Sequence, residues 1–145
     1  MPKCTIDGKE IEVPAGTTVI RAAEELGIRI PRFCWHPDLA VDGNCRMCQV
    51  EVEKMPKLQI ACNTQVTEGM VVHTKSPRAK EAQRATLEFL LINHPLDCPI
   101  CDQAGECKLQ DYYMEHGGYD SRMPRALKVH KRKVVDLGER IMLDK

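Results

Sequence analysis

The amino-acid sequence predicts an α+β protein made of two consecutive units. The first 75 residues alternate short strand-like segments with one amphipathic helix, and residues 76–145 open with a long helical pattern. Seven of the eight cysteines fall into two groups, one in each unit. A chain of 145 residues is long enough for one ordinary domain or two small ones. We therefore expect a domain over 1–75 and a smaller, mostly helical one over 76–145.

The first unit has the strand and helix signals of a β-grasp arrangement. The segment "CTIDGKEIEV" predicts a hairpin with Asp7-Gly8 as its two-residue turn. The segment "TTVIRAAEELG" has apolar residues at helical spacing and ends at Gly27, which suits a left-handed terminating residue. After a long irregular loop, "QVEVE", "LQIAC" and "MVVHT" are predicted to form further strands. A helix packed across a hairpin and further strands indicates a β-grasp fold.

The second unit begins with a helix over "SPRAKEAQRATLEFLLINH". Ser76 is expected to cap this helix, Pro77 suits its first turn, and the proline after His94 ends it. A second, shorter helix is expected over 109–114, before a break at Gly117-Gly118 and a poorly patterned tail. The face of the long helix predicted to be buried carries Ala82, Ala85, Phe89 and Ile92, widened by Leu90 and Leu91.

The first cysteine group has the spacing C-x10-C-x2-C-x13-C. Its loop is rich in turn-forming residues, and Gly43 would let the backbone approach a bound group closely. Zinc ribbons usually draw two Cys-x-x-Cys pairs from matching turns, whereas plant-type ferredoxins use C-x4-C-x2-C with a distant fourth cysteine. The spacing favours an iron–sulfur cluster, with structural zinc as the alternative. The candidate ligands are Cys34, Cys45, Cys48 and Cys62.

The second group has the spacing H-x3-C-x2-C-x5-C. Three thiolates and one imidazole suit structural zinc as well as a cluster, and the spacing alone does not separate the two. The candidate ligands are His94, Cys98, Cys101 and Cys107. A disulfide framework is disfavoured, because the chain has no visible export signal and disulfides are rare in reducing compartments. Cys4, the remaining thiol, is expected to be buried and inert.

The two groups and the residues between them resemble a known family. "FCWHPDLAVDGNCRMCQVEVEK", "ACNTQVTEGMVVHT" and "NHPLDCPICDQAGECKLQD" closely resemble the amino-terminal region of the large iron–sulfur subunit of respiratory complex I, NADH:quinone oxidoreductase. The resemblance implies a ferredoxin-like domain over 1–75 with one [2Fe-2S] cluster on Cys34, Cys45, Cys48 and Cys62. It also implies a domain over 76–145 with one [4Fe-4S] cluster on His94, Cys98, Cys101 and Cys107.

The resemblance implies electron transfer without a catalytic residue in this chain. Electrons would pass from the flavin- and NADH-binding subunit and its small two-iron companion toward quinone, with contacts that include the loop 34–48. In the family another cysteine run with a further four-iron cluster follows, but no cysteine follows Cys107 here. We therefore expect the chain to correspond to the amino-terminal segment of the large subunit. The alternatives are a relay segment of an NAD-linked or iron-only hydrogenase and a zinc-stabilised interaction module without redox activity.

Several other functions find no support in the sequence. The formal net charge is zero, and the one basic run, at 127–133, has no aromatic platform for nucleic acid. There is no dinucleotide fingerprint, so NADH and flavin should bind on partners. No signal peptide or membrane-spanning apolar run is visible. We expect a peripheral location on the cytoplasmic side of the bacterial inner membrane, or on the matrix side in a mitochondrion.

Overall fold

The computed structural model describes residues 1–120, 122–129, 132 and 134–144, without the side chains of Arg125 and Asp144. This part of the chain contains ten helices and strands and two 3-10 turns, at Cys98–Ile100 and Arg125–Leu127. The strands and helices are β1 (Lys3–Ile6), β2 (Lys9–Glu12), α1 (Val19–Glu25), β3 (Gln49–Val52), β4 (Gln59–Ile60), β5 (Met70–His73), α2 (Pro77–Leu91), α3 (Lys108–His116), β6 (Val134–Asp136) and β7 (Met142–Asp144).

A five-stranded mixed sheet in the order β2-β1-β5-β3-β4 forms the first half of the chain. Strand β5 lies at its centre, parallel to β1 and antiparallel to β3. Helix α1 shares one apolar core with these strands, because its buried residues belong to the same cluster as those of the sheet. The predicted α+β class and β-grasp arrangement are therefore confirmed. The strand expected to close the unit, "MVVHT", is its central strand.

Local backbone geometry explains two of the predicted boundaries. Asp7 and Gly8 have φ values of +47° and +83° between β1 and β2, the left-handed conformations of a tight hairpin turn. Gly27 has a φ of +70° just after α1, where a side chain would be strained. Aspartate and glycine tolerate this region better than most residues, so the sequence marks both positions.

Helix α2 begins as predicted but buries a different face. The Ser76 hydroxyl accepts a hydrogen bond from the Ala79 N–H at 3.2 Å, as expected of the cap. The predicted stripe is wrong: Phe89 is 76% exposed, whereas Ala79, Gln83 and Leu87 are buried. The Gln83 amide donates a hydrogen bond to the backbone carbonyl of Gln49 in β3 at 3.1 Å. A polar residue thus holds the helix on the sheet, which a purely apolar pattern cannot indicate.

A small second core joins the first cysteine loop to the two long helices. Met47, Leu87 and Tyr112 are its buried members, with Phe33, Cys45 and Leu109 packed around them. These residues come from the loop after α1, from α2 and from α3. The second core therefore connects the first site to the helix that follows the second cysteine group.

The last part of the chain contains structure that the sequence pattern missed. Helix α3 is longer than expected and ends at Gly117, as predicted. The tail contains the antiparallel hairpin β6–β7, with Val135 paired to Leu143. Three residues of the basic run, His130, Lys131 and Lys133, lie outside the described residues. Among the residues that the structure describes, no helix is long and apolar enough to cross a membrane.

Candidate metal centres

Two cysteines of the first group are placed side by side by the pairing of β3 with β4. Cys48 directly precedes β3, and Cys62 follows β4 after one residue. The register pairs Gln49 with Ile60, and the N–H of Ala61 donates to the carbonyl of Cys48 at 2.9 Å. Regular strand geometry therefore fixes both cysteines at the same end of the sheet, and both are buried.

The other two cysteines of the first group come from the irregular loop. The backbone N–H of Cys45 points at the sulfur of Cys34, at 3.5 Å. Gly43 has a φ of +69°, and a Cβ there would lie 3.2 Å from the Cδ1 atom of Ile60. A side chain at this position would strain the backbone and crowd β4. The loop can therefore fold closely over the sheet only with glycine at this turn.

All four thiols of the first group lie close enough for their charges to interact. Burial, followed by the charges of Cys48, Cys34 and Cys45, raises the pKa of Cys62 to about 12. Burial also raises the pKa of Cys48, and Cys45 and Cys34 again contribute. Cys48 and Cys62, buried beside other thiols, therefore resist losing their protons until a positive group arrives. The structure thus brings together the whole predicted set.

Backbone N–H groups distinguish Cys45 from its neighbours. Burial alone would raise its pKa, but hydrogen bonds from the backbone of Cys34, Met47 and Phe33 outweigh it, and the pKa of Cys45 is lowered. Such donors stabilise negative charge on sulfur. A cluster held by thiolates is tuned by the same contacts. The spacing of the cysteines gave no sign that Phe33 and Met47 would supply them.

The second group lines a cavity of about 980 Å³ between α2 and α3. Cys98 opens the 3-10 turn, and Cys107 occupies the position just before α3. Cys98 and His94 are exposed at the rim, while Cys101 and Cys107 are partly buried. The four predicted residues therefore face a common space that is large enough for a cluster.

The exit of α2, which carries His94, is held by the segment after α3. The Nζ of Lys128 donates to the carbonyl of Leu91 at 2.8 Å, and the N–H of Val129 donates to the side-chain oxygen of Asn93 at 3.0 Å. Both acceptors, Leu91 and Asn93, lie just before His94 in the chain. The segment after α3 therefore helps to position the backbone that carries the His94 imidazole.

The donor types of both sets match the ligands of iron–sulfur clusters. The described part of the chain contains no group of three or more His, Cys, Asp or Glu side chains arranged to hold one metal ion. A [2Fe-2S] cluster distributes four ligands over two irons, so its ligands need not converge on one point. Soft thiolates, with an imidazole at the second site, also match the ligands of iron–sulfur clusters. Cys4, by contrast, is buried in β1, as expected, and burial raises its pKa.

Comparison with known families identifies the first half of the chain. Residues 3–77 match the family described as "2Fe-2S iron-sulfur cluster binding domain". The chain belongs to this family. Residues 83–122 match the "NADH-ubiquinone oxidoreductase-G iron-sulfur binding region", a 4Fe-4S family. The expectation of one [2Fe-2S] and one [4Fe-4S] cluster is therefore confirmed.

Individual relatives confirm the predicted resemblance. The chain is 53% identical over 143 residues to the G subunit of the NADH-quinone oxidoreductase of Streptomyces coelicolor, covering 97% of this chain and 17% of the relative. It is 56% identical over 114 residues to the mitochondrial NADH-ubiquinone oxidoreductase 78 kDa subunit of Neurospora crassa, covering 79% of this chain and 15% of the relative. The chain therefore spans less than a fifth of the length of each.

A solved structure with a similar fold belongs to a different enzyme. It is an NAD+-reducing [NiFe]-hydrogenase in the H2-reduced state, with a TM-score of 0.79 and 32% sequence identity. The match covers 90% of this chain and 55% of the hydrogenase chain. The arrangement seen here therefore also occurs in an NAD+-reducing hydrogenase.

Proposed function

We propose that this chain carries its two clusters on the two predicted ligand sets, in units that span 1–75 and 76–145. The [2Fe-2S] cluster would be held by the four thiolates of the first group. Cys48, Cys34 and Cys45 all affect the pKa of Cys62, which supports this assignment because the four sulfur atoms must then lie near one another. The [4Fe-4S] cluster would be held by the four residues that line the cavity between α2 and α3. The ligands are Cys34, Cys45, Cys48 and Cys62 in the first set, and His94, Cys98, Cys101 and Cys107 in the second.

The protein's own groups would determine how these sites behave. When bound, such clusters accept and donate single electrons. Burial of Cys48 and Cys62 keeps water from one side of the first site. The backbone donors around Cys45 offset negative charge on sulfur. At the second site, the neutral imidazole of His94 would replace one thiolate charge, which favours the reduced state.

We infer that the chain is an electron-relay segment of an NADH:quinone oxidoreductase. The observation that supports this most is the 53% identity to the Streptomyces coelicolor relative over 97% of the chain. Its partners would be the flavin- and NADH-binding subunit and the small two-iron companion, with quinone as the final acceptor. It would lie in a peripheral arm on the cytoplasmic side of a bacterial inner membrane, or on the matrix side in a mitochondrion.

The proposed relay function is tested by asking whether NADH reduces the clusters of this chain through the flavin- and NADH-binding subunit. The cluster-loaded chain is mixed anaerobically with the purified flavin- and NADH-binding subunit, and the clusters are followed by low-temperature EPR. We expect NADH to reduce the chain only when the partner is present. A chain carrying Cys48→Ser is the control for the first site. If dithionite reduces both clusters but NADH with the partner reduces neither, the proposed position in the relay is wrong.

A relay segment of an NAD-linked hydrogenase is the second candidate, supported by the TM-score of 0.79 to the hydrogenase chain. The two functions differ in the donor and acceptor on either side of the chain. The same EPR experiment, with a hydrogenase module and H2 in place of the flavin-binding partner and NADH, separates them. Reduction by the hydrogenase module alone would favour this second function.

A further inference from the structure

Tyr112 links the helix that follows the second cysteine group to the loop of the first. Its side chain is only 3% exposed and lies in the second core. Its hydroxyl accepts a hydrogen bond from the backbone N–H of Arg32 at 3.2 Å, across 80 residues of sequence. Its ring meets the ring of Phe33 edge to face, with centroids 5.1 Å apart. Two consecutive loop residues are therefore held by one tyrosine.

The residues held by Tyr112 lead directly into the first site. Cys45 packs against the same second core, and so does Phe33. Cys34 follows, and its own sulfur accepts the N–H of Cys45. The residues held by Tyr112 are thus joined directly to Cys34, the ligand whose sulfur accepts the Cys45 N–H. Rotation of the segment would move the Cys34 sulfur away from the Cys45 N–H.

We propose that Tyr112 is a positioning residue for the [2Fe-2S] site, an inference that rests on the ligand set proposed above. Tyr112 holds 32–34 in the conformation in which the Cys34 sulfur accepts the Cys45 N–H at 3.5 Å. One electron from a titrant adds one negative charge to the site, and an N–H dipole aimed at sulfur stabilises that charge. Tyr112 therefore raises the reduction potential of the first site. Because α3 begins next to Cys107, the order of the second unit also affects the first cluster.

The test is a redox titration of the [2Fe-2S] EPR signal in the full 145-residue chain with both clusters loaded. Tyr112→Phe removes the hydroxyl and keeps the ring that packs on Phe33. Tyr119→Phe is the matched control, because the same atom is removed from a residue that is 82% exposed. Exchangeable-deuteron couplings to the reduced cluster, measured in D2O, report on the N–H donors directly.

We expect Tyr112→Phe to shift the midpoint potential to more negative values and to weaken the deuteron couplings, while Tyr119→Phe does neither. Loss of the [2Fe-2S] cluster alone, with helix content and the second cluster retained, would also support the proposal. An unshifted potential in a loaded Tyr112→Phe chain would overturn it, as would loss of both clusters together, since Tyr112 would then only maintain the fold. Absence of a two-iron signal in the unmodified chain would instead overturn the ligand set, and this inference with it.

Discussion

Truncating Leu87 should destabilise the protein far more than truncating its neighbour Phe89. Leu87 is 1% exposed and packs in the second core, with Met47 from the cluster loop and Tyr112 from α3. Removing a buried leucine side chain leaves a cavity and costs about 2–5 kcal/mol. In a chain of this length, each kcal/mol lowers the melting temperature by roughly 2–4 °C, so Leu87→Ala should melt about 4–20 °C lower.

Thermal unfolding of the cluster-loaded chain measures this difference. Far-UV circular dichroism follows the helices, and visible absorbance follows release of the clusters. Phe89→Ala is the control on the same helix: its ring is 76% exposed, so we expect a change of about 0.5 kcal/mol or less. Equal losses for the two variants, or a larger loss for Phe89→Ala, would refute the assignment of the buried face and of the second core.

Three further predictions concern the sites themselves. Cys48→Ser should abolish the two-iron EPR signal while Cys4→Ser keeps it, because only the first is a proposed ligand; iron analysis of both variants checks this. His94→Cys should lower the midpoint potential of the [4Fe-4S] site, since a thiolate replaces a neutral imidazole; an unchanged potential would argue against a ligand-charge effect. Loading of the first site should improve from about pH 7 to 9, because the raised pKa of Cys62 means that binding must release a proton; pH-independent loading would contradict this.

Features set by neighbouring residues could be predicted from the sequence. Asp7-Gly8 specified the first hairpin and Ser76-Pro77 the start of α2, because the backbone conformation of a turn or a cap depends on one or two residues. The spacing of the cysteines predicts both candidate ligand sets, and their ligation of the clusters stays a prediction. A ligand group is recognised by residue type and separation, without knowledge of the packing.

Features set by long-range packing could not be predicted in this way. The parallel pairing of β1 with β5 places Cys4 beside Met70, and alternation within a strand does not reveal its neighbours. The buried face of α2 depends on the hydrogen bond between Gln83 and Gln49, in which a polar residue takes a core position. Nothing in the sequence indicated that Tyr112 would contact the first cysteine loop, because its hydrogen-bond partner, Arg32, lies 80 residues away.

Anaerobic analysis of the purified chain for iron, sulfide and zinc, with low-temperature EPR after reduction, determines whether the chain carries both clusters. Two irons at the first site and four at the second predict about six per chain, with separate two-iron and four-iron signals. The same analysis of a Cys48→Ser, Cys101→Ser double variant should find neither signal. Stoichiometric zinc with no EPR signal in the unmodified chain would mean that the chain is a structural module without redox activity.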